Sequence, residues 1–256
     1  MSASRRTWLK GLAAAAAAAF ASACDRVAGE PAVRAGLRGA ERLNQGLHRV
    51  LFDRRTLARE YPDSAISADF RANGSIDPSD PAYRALAAGG FAGYRLVVDG
   101  IVERPLSLDL AALRALPSRS QVTRHDCVEG WSAIARWTGA RLAPLLEQAG
   151  LRPEARYLVF HCFDTLDPDA GADGRYYESI DLVDAFHPQT LLAYEMNGAP
   201  LGIAHGAPLR LRVERQLGYK HAKYIARIEA VADFAHISGG RGGFWEDRGY
   251  EWYAGI

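Results

Sequence analysis

The apolar positions change texture near residue 93. Upstream, between Val33 and Leu57, apolar residues recur at Leu37, Leu43, Leu47, Val50, Leu51 and Leu57 in an Arg-rich, polar background. That spacing predicts one or two amphipathic helices or a partly ordered linker. Residues 73–81, NGSIDPSDP, are turn formers and predict a loop. Downstream the apolar runs become short and strand-like. Tyr94–Val102 predicts a strand, a turn at Asp99-Gly100 and a second strand. Ser107 predicts the N-cap of a short helix through Leu116, closed by Pro117. Gln121–Arg124 predicts a strand running into Cys127, and Ala140–Ala149 an apolar-striped helix stopped by Gly150. Tyr157–Phe163 and Tyr176–Ile180 read as strands, the second followed by a helix around Leu182–Phe186. Asn197-Gly198, inside Leu191–Leu201, is a strong hairpin-turn signal. Leu209–Val213 alternates strictly and predicts a half-solvated strand, with Arg210 outward; Tyr224–Val231 predicts another strand. Strands and short helices follow one another without a regular βαβ rhythm. The fold class is therefore a mixed α+β domain and not a doubly wound sheet.

Composition adds bounds. The chain has 256 residues, 48% hydrophobic, enough for a substantial core. Its 31 Lys+Arg balance 30 Asp+Glu, so whole-chain charge points to neither a nucleic-acid groove nor a polybasic membrane patch.

The first residues read as an address. Ser4–Lys10 contains Arg5-Arg6, Gly11–Phe20 is an Ala-rich run too short to span a membrane, and Ala21-Ser22-Ala23 offers a cleavage site before Cys24. This predicts a twin-arginine signal over residues 1–23, with an ordinary secretory signal as the alternative. The twin-arginine route carries folded proteins, often already loaded with a cofactor, to the periplasm. Ala-Ser-Ala-Cys also resembles a lipoprotein box, in which case Cys24 is lipidated and the protein tethered. The expected organisation is 1–23 signal, 24–65 linker or helical segment, and 66–256 one domain.

Two cysteines remain in the body, Cys127 and Cys162. One reading is a disulfide in an oxidising compartment. It leaves unexplained the polar run Arg124-His125-Asp126 before Cys127. Zinc would want paired ligands such as Cys-x-x-Cys or His-Glu-x-x-His, which are missing. A Cys127–His125 nucleophile is possible but has no evident orienting group. Neither a Gly-x-Gly-x-x-Gly dinucleotide motif nor a Cys-x-x-Cys-His haem motif occurs. A single thiolate can also be the only protein bond to a metal whose other ligands belong to an anionic cofactor. Arg210, Lys220 and Lys223 are candidate cations for such a group.

Several motifs in order carry a resemblance. They are Cys127-Val-Glu-Gly-Trp-Ser, Trp137-Thr-Gly, Leu142-Ala-Pro-Leu-Leu, Phe160-His-Cys-Phe, Tyr177-Glu-Ser-Ile-Asp-Leu, His187-Pro-Gln-Thr-Leu-Leu-Ala-Tyr, Met196-Asn-Gly-Ala-Pro-Leu, His205-Gly-Ala-Pro-Leu-Arg-Leu and Leu217-Gly-Tyr-Lys-His-Ala-Lys-Tyr. Together, over about residues 66–256, the chain resembles the molybdopterin-binding domain of the sulfite oxidase family, nearest the branch of periplasmic protein-methionine-sulfoxide reductase catalytic subunits.

The resemblance implies a molybdenum–molybdopterin cofactor with Cys127 as the metal's thiolate ligand. It places Cys162 against the pterin, where the family has threonine. His205 stands where asparagine is familiar, and Arg210 joins it. His221, Ala222 and Lys223 are implied at the cofactor phosphate, and Arg71, Ala72 and Asn73 are the matching N-terminal loop. The implied chemistry is two-electron oxygen-atom transfer, with the fold supplying position and electrostatics. Val-Glu-Gly-Trp follows Cys127 where sulfite-oxidising members carry an Ala-Gly-Asn-Arg type of continuation. That favours reduction of a sulfoxide, a related S- or N-oxide, or a protein methionine sulfoxide over sulfite oxidation. No haem is expected in this chain, so a separate electron-transfer partner is expected, a membrane cytochrome b-type subunit or a soluble cytochrome. The remaining alternatives are sulfite or other small-molecule oxidation on the same cofactor, and a non-catalytic exported module with Cys127 free or bridged.

Overall fold

The computed structural model describes Val27, residues 30–52 and residues 54–256. The expected signal and Cys24 lie outside the described residues. The chain divides into two compact units, Met1–Val50 and Leu51–Ile256. The amphipathic pattern of the N-terminal part is realised as one helix, α1 (Pro31–Leu51). Among the described residues no helix is long and apolar enough to cross a membrane.

The second unit starts upstream of residue 66, and the segment before 66 is tied into it. Glu60 bridges to Thr123, the Tyr61 amide donates to the Val122 carbonyl, and the Ala58 amide donates to the Gln189 side chain at 2.8 Å. Helix α2 (Pro81–Ala88) is capped by Asp80, whose carboxylate accepts from the Tyr83 amide.

Two five-stranded sheets follow. The first contains β1 (Leu96–Gly100), β2 (Leu106–Leu108), β5 (Tyr157–Thr165), β6 (Arg175–Asp181) and β10 (Ile225–Val231), in the order β2-β1-β10-β5-β6. Only β1 and β10 run parallel in it. The second contains β3 (Ser118–Asp126), β4 (Ser132–Arg141), β7 (Leu191–Met196), β8 (Ala199–Pro200) and β9 (Arg210–Arg212), with β8 and β9 both pairing β7. Helices α3 (Leu110–Ala115), α4 (Leu142–Ala149) and α5 (Leu182–Ala185) connect strands. Leu142, Leu145 and Leu146 of α4 sit in the main core with Leu96, Leu158, Phe160 and Ile228; a smaller core surrounds Trp137 and Phe70. This is the mixed α+β architecture expected from the sequence.

Three local expectations need correction. Asp99-Gly100 is not a hairpin turn. The strand continues through it in parallel with Glu229 and Ala230, and Gly100, at φ +83°, permits an approach in which a Cβ would stand 2.3 Å from the Ala230 carbonyl. The antiparallel partner is β2, further along. Ser107 lies within β2, and the cap of α3 is Asp109, whose carboxylate accepts from the Ala112 amide at 2.8 Å. β9 is not half-solvated. Leu211 faces the main core, while Arg210 and Arg212 are turned inward over the Trp137 ring at 4.8 and 4.4 Å. The alternation is real, but both faces are covered.

Candidate active site

Cys127 follows the last residue of β3. Its amide donates to the Trp131 carbonyl at 2.9 Å and its own carbonyl accepts from the Gly130 amide at 3.0 Å, closing a tight loop onto β4. The register of β3 with β4 holds that loop at the sheet's end, with Asp126 opposite Ser132. The thiol is 8% exposed and lines a cleft of roughly 820 Å³, counting the space open at its mouth. Burial pushes the Cys127 thiol above its ordinary value, against an opposing pull from the Glu129 and Val128 amides.

The cleft draws on distant segments. Asn73, Gly74 and Ser75 form one wall, Cys127 to Glu129 another, Asp164 and Leu166 a third, and Gly218, Tyr219, His221 and Lys223 the floor. Tyr176, Trp245 and Tyr250 add an aromatic side, with Trp245 and Tyr250 stacked at 5.3 Å.

Positive charge concentrates behind this lining. Arg212 is fully buried and paired: its Nε and Nη2 donate to Glu214 at 3.0 and 2.5 Å. Its Nη1 donates to His125 Nδ1 at 3.0 Å, which leaves the His125 proton on Nε2. Arg210 is different. It is 1% exposed; Nη1 donates to the His205 carbonyl at 3.0 Å, and among the described residues it has no carboxylate partner and Nε and Nη2 have no hydrogen-bond partner. Burial, then the neighbouring Arg212, pushes its guanidinium down to about 9. A buried cation with no carboxylate hydrogen-bonded to it is costly, and this one presents three N–H groups on two unpartnered nitrogens. Burial with the adjacent arginines also holds His125 and His221 well below the usual imidazole value, so both are neutral. His221 Nε2 donates to the Gln216 carbonyl, leaving Nδ1 unpartnered, as is His205 Nδ1.

Lys223 is fully engaged, its ammonium donating to the carbonyls of Asn73, Ser75 and Ala204 at 2.6, 2.5 and 3.1 Å. It therefore staples the 73–75 wall to the floor. Lys220 is a structural cation and not a site one: it is 1% exposed between Glu178 and Glu246, at 2.5 and 2.6 Å.

The structure brings Asn73, Cys127, His221 and Lys223 to one cleft. The stems of Lys223 and Arg210 meet at Gly206, where a Cβ would stand 3.0 Å from Lys223 and 3.2 Å from Arg210, and the carbonyl of the preceding residue, His205, accepts from Arg210. Arg71 sits outside on the rim, 3.8 Å from Glu129 and over Trp131, and neither Arg71 nor Ala72 lines the cleft. Ala222 is core, its carbonyl accepting from the Leu211 amide. Cys162 is buried in β5, with burial pushing its thiol well above the ordinary value; both cysteines are free, so no disulfide joins them.

Sequence reasoning missed Asp164. It is 2% exposed, lines the cleft, has an unpartnered Oδ1, and burial pushes its carboxyl up to about 7. The strand period was the available signal, since Asp164 shares the face of Cys162 two residues earlier. Among the described residues no group of three or more His, Cys, Asp or Glu could hold a metal ion. The donor set instead suits an anion-bearing group that brings its own metal ligands: one thiol at the cleft, and unsatisfied N–H groups with uncompensated positive charge behind it.

Comparison with known proteins agrees with that donor set. The model of the oxidoreductase molybdopterin binding domain matches residues 87–236. The chain is 37% identical over 226 residues to a putative protein-methionine-sulfoxide reductase subunit, YedZ1, of Azospira oryzae, covering 88% of this chain and 78% of that protein. Among solved structures, the sulfane dehydrogenase SoxCD from Paracoccus pantotrophus matches 54% of this chain at 24% identity with a TM-score of 0.47, and the match spans 38% of the SoxCD chain. The chain belongs to the molybdopterin-binding oxidoreductase family. It is an enzyme, and molybdopterin is its cofactor.

Proposed function

We propose that this chain is the catalytic subunit of an exported enzyme that reduces a neutral sulfoxide, methionine sulfoxide in protein being the favoured class. The observation that carries the reading is the cleft mouth beside Cys127. Val128 is exposed there, Leu166, Trp245 and Tyr250 add apolar and aromatic surface, Arg71 on the rim is faced by Glu129, and Lys223 in the lining is taken up by three backbone carbonyls. A neutral thioether S-oxide suits that surface; a sulfite dianion would want unpaired cations. The name of the 37% identical relative supports the same substrate class.

Cys127 would hold the metal, Arg210 and the floor at His221 to Lys223 would hold the anionic part of the cofactor, and Asn73 would close over it. The cofactor, when bound, supplies two-electron oxygen-atom exchange. The overall reaction consumes two electrons and two protons, converting a sulfoxide to a thioether and water. Burial pushes the Asp164 carboxyl up to about 7, so it would gain and lose a proton within the cleft around neutral pH.

The electrons would come from a separate partner, a membrane cytochrome b-type subunit or a soluble cytochrome; the relative's description as a subunit supports a partner. Residues 1–23 would direct export of the folded chain by the twin-arginine route to the periplasm, and 24–65 would link them to the catalytic domain.

The test is direct. Protein from a host that exports it folded should contain near-stoichiometric molybdenum and reduce methionine sulfoxide with an artificial donor. Cys127→Ser should abolish the metal's redox signal. Full activity in Cys127→Ser would defeat the reading, as would turnover of sulfite but of no sulfoxide. Export is read separately: Arg5→Lys with Arg6→Lys should retain the protein in the cytoplasm.

A further inference from the structure

Helix α1 has one apolar face whose described side chains are exposed. At 100° per residue, Ala40, Leu43, Leu47, Val50 and Leu51 fall within an arc of about 100°. Leu43, Leu47, Val50 and Leu51 are 74, 51, 83 and 64% exposed, far from the values of core leucines. Arg42, Gln45, His48 and Arg49 project on the opposite arc. Residues 31–51 hold four arginines and one glutamate, a local excess that the balanced whole-chain charge conceals. Among the described residues nothing lies within 4 Å of where a Cβ would stand on Gly36, Gly39 or Gly46, so no close approach there explains a glycine. Glycine is the poorest helix former after proline, so this helix is weak in water and gains from an apolar boundary.

We infer that α1 is an interfacial helix that lies on an anionic phospholipid surface, leucines inward and arginines at the headgroups. The charge chooses the occupant: an apolar stripe backed by arginine, with low overall hydrophobicity, matches a lipid boundary bearing negative headgroups. The helix is too polar to span. It begins a few residues after Cys24, so an acyl chain there and this helix would supply the two signals that stable attachment needs. The inference rests on the exported reading only for which membrane is met.

The test uses the processed holoenzyme carrying Cys24→Ser, which removes any acyl contribution. It is sedimented with vesicles of phosphatidylcholine alone or mixed with phosphatidylglycerol at 3:1. Binding to the anionic vesicles should exceed binding to neutral ones at least tenfold and fall with salt. Leu43→Asp with Val50→Asp should lower it at least tenfold without changing molybdenum content or melting temperature, since both side chains are exposed. The added emission of Leu47→Trp should shift to shorter wavelength with anionic vesicles. Equal binding to both vesicle types, or unchanged binding by the double variant, would overturn the inference. So would a Leu47→Trp shift produced only by the membrane subunit, which would assign the face to a protein partner. Because vesicle binding is measured in vitro and export by fractionation, either can fail alone.

Discussion

Gly218 lies against the His125 imidazole so closely that a Cβ at that position would stand 2.6 Å from Nε2. His125 cannot retreat, because Arg212 donates to its Nδ1 and His221 packs edge-on at 5.1 Å. Gly218→Ala should therefore displace the cleft floor. We expect a loss of about 1–3 kcal/mol in the cofactor-free chain and a severalfold fall in bound molybdenum, read by denaturant melts and elemental analysis.

Arg210 should behave in the opposite way in the empty protein. Its charge is buried with no carboxylate hydrogen-bonded to it, and burial outweighs the pull of Glu214, so Arg210→Met should leave the cofactor-free chain as stable or raise it by on the order of 1 kcal/mol. Molybdenum retention should nevertheless collapse. Melting temperature and metal content, measured on the same preparations, separate the two effects; a parallel loss of both would contradict the assignment.

Lys223→Met removes three donations to carbonyls at once. The expected cost is about 2–3 kcal/mol. Hydrogen exchange should rise first at Asn73–Ser75, before the sheets respond, and cofactor retention should fall. Uniform exchange across the unit would show that Lys223 acts on global stability alone.

Asp164 gives a pH signature. Its folded carboxyl lies near 7, above the ordinary value of 3.8, with burial as the main cause and Lys223 opposing it. Between about pH 4 and 7 the folded chain keeps a proton that the unfolded chain releases, so this contribution to stability falls as pH rises and is flat above 7. In the cofactor-free protein, Asp164→Asn should remove that falling limb, a difference of up to a few kcal/mol between pH 4 and pH 7 in urea melts.

The fold was readable wherever local pattern and tertiary context agreed. β5 opens on the apolar run Tyr157–Phe160 and lies between β10 and β6, with Leu158, Val159 and Phe160 in the core, and α4 ends at Gly150 in the left-handed region. Asn197-Gly198 turns between β7 and β8 with both residues at positive φ. The pattern failed where one residue type serves two purposes. Asp99-Gly100 has turn chemistry but meets a parallel neighbour, a long-range partner that local sequence does not reveal. Arg210 reads as solvent-facing because arginine in an alternating strand normally is; only the covering of β9 and the ring of Trp137 make it a buried cation. At the site, Cys127 was legible as an isolated thiol in a polar run. The roles of the two lysines were not: Lys220 and Lys223 look alike in sequence, and position alone puts one between the Glu178 and Glu246 carboxylates and makes the other a clamp.

β1 pairs in parallel with β10, Val97 beside Arg227. The first strand of the unit thus waits for its last, and the cleft floor at Gly218–Lys223 is made only shortly before β10. A ribosome must release nearly the whole chain before a binding cavity exists. Loading would then follow synthesis of the cleft floor and β10, and a filled site would report that these had been made. On the proposed twin-arginine route, strand order alone would act as an inspection step, distinguishing finished enzyme from fragments before passage.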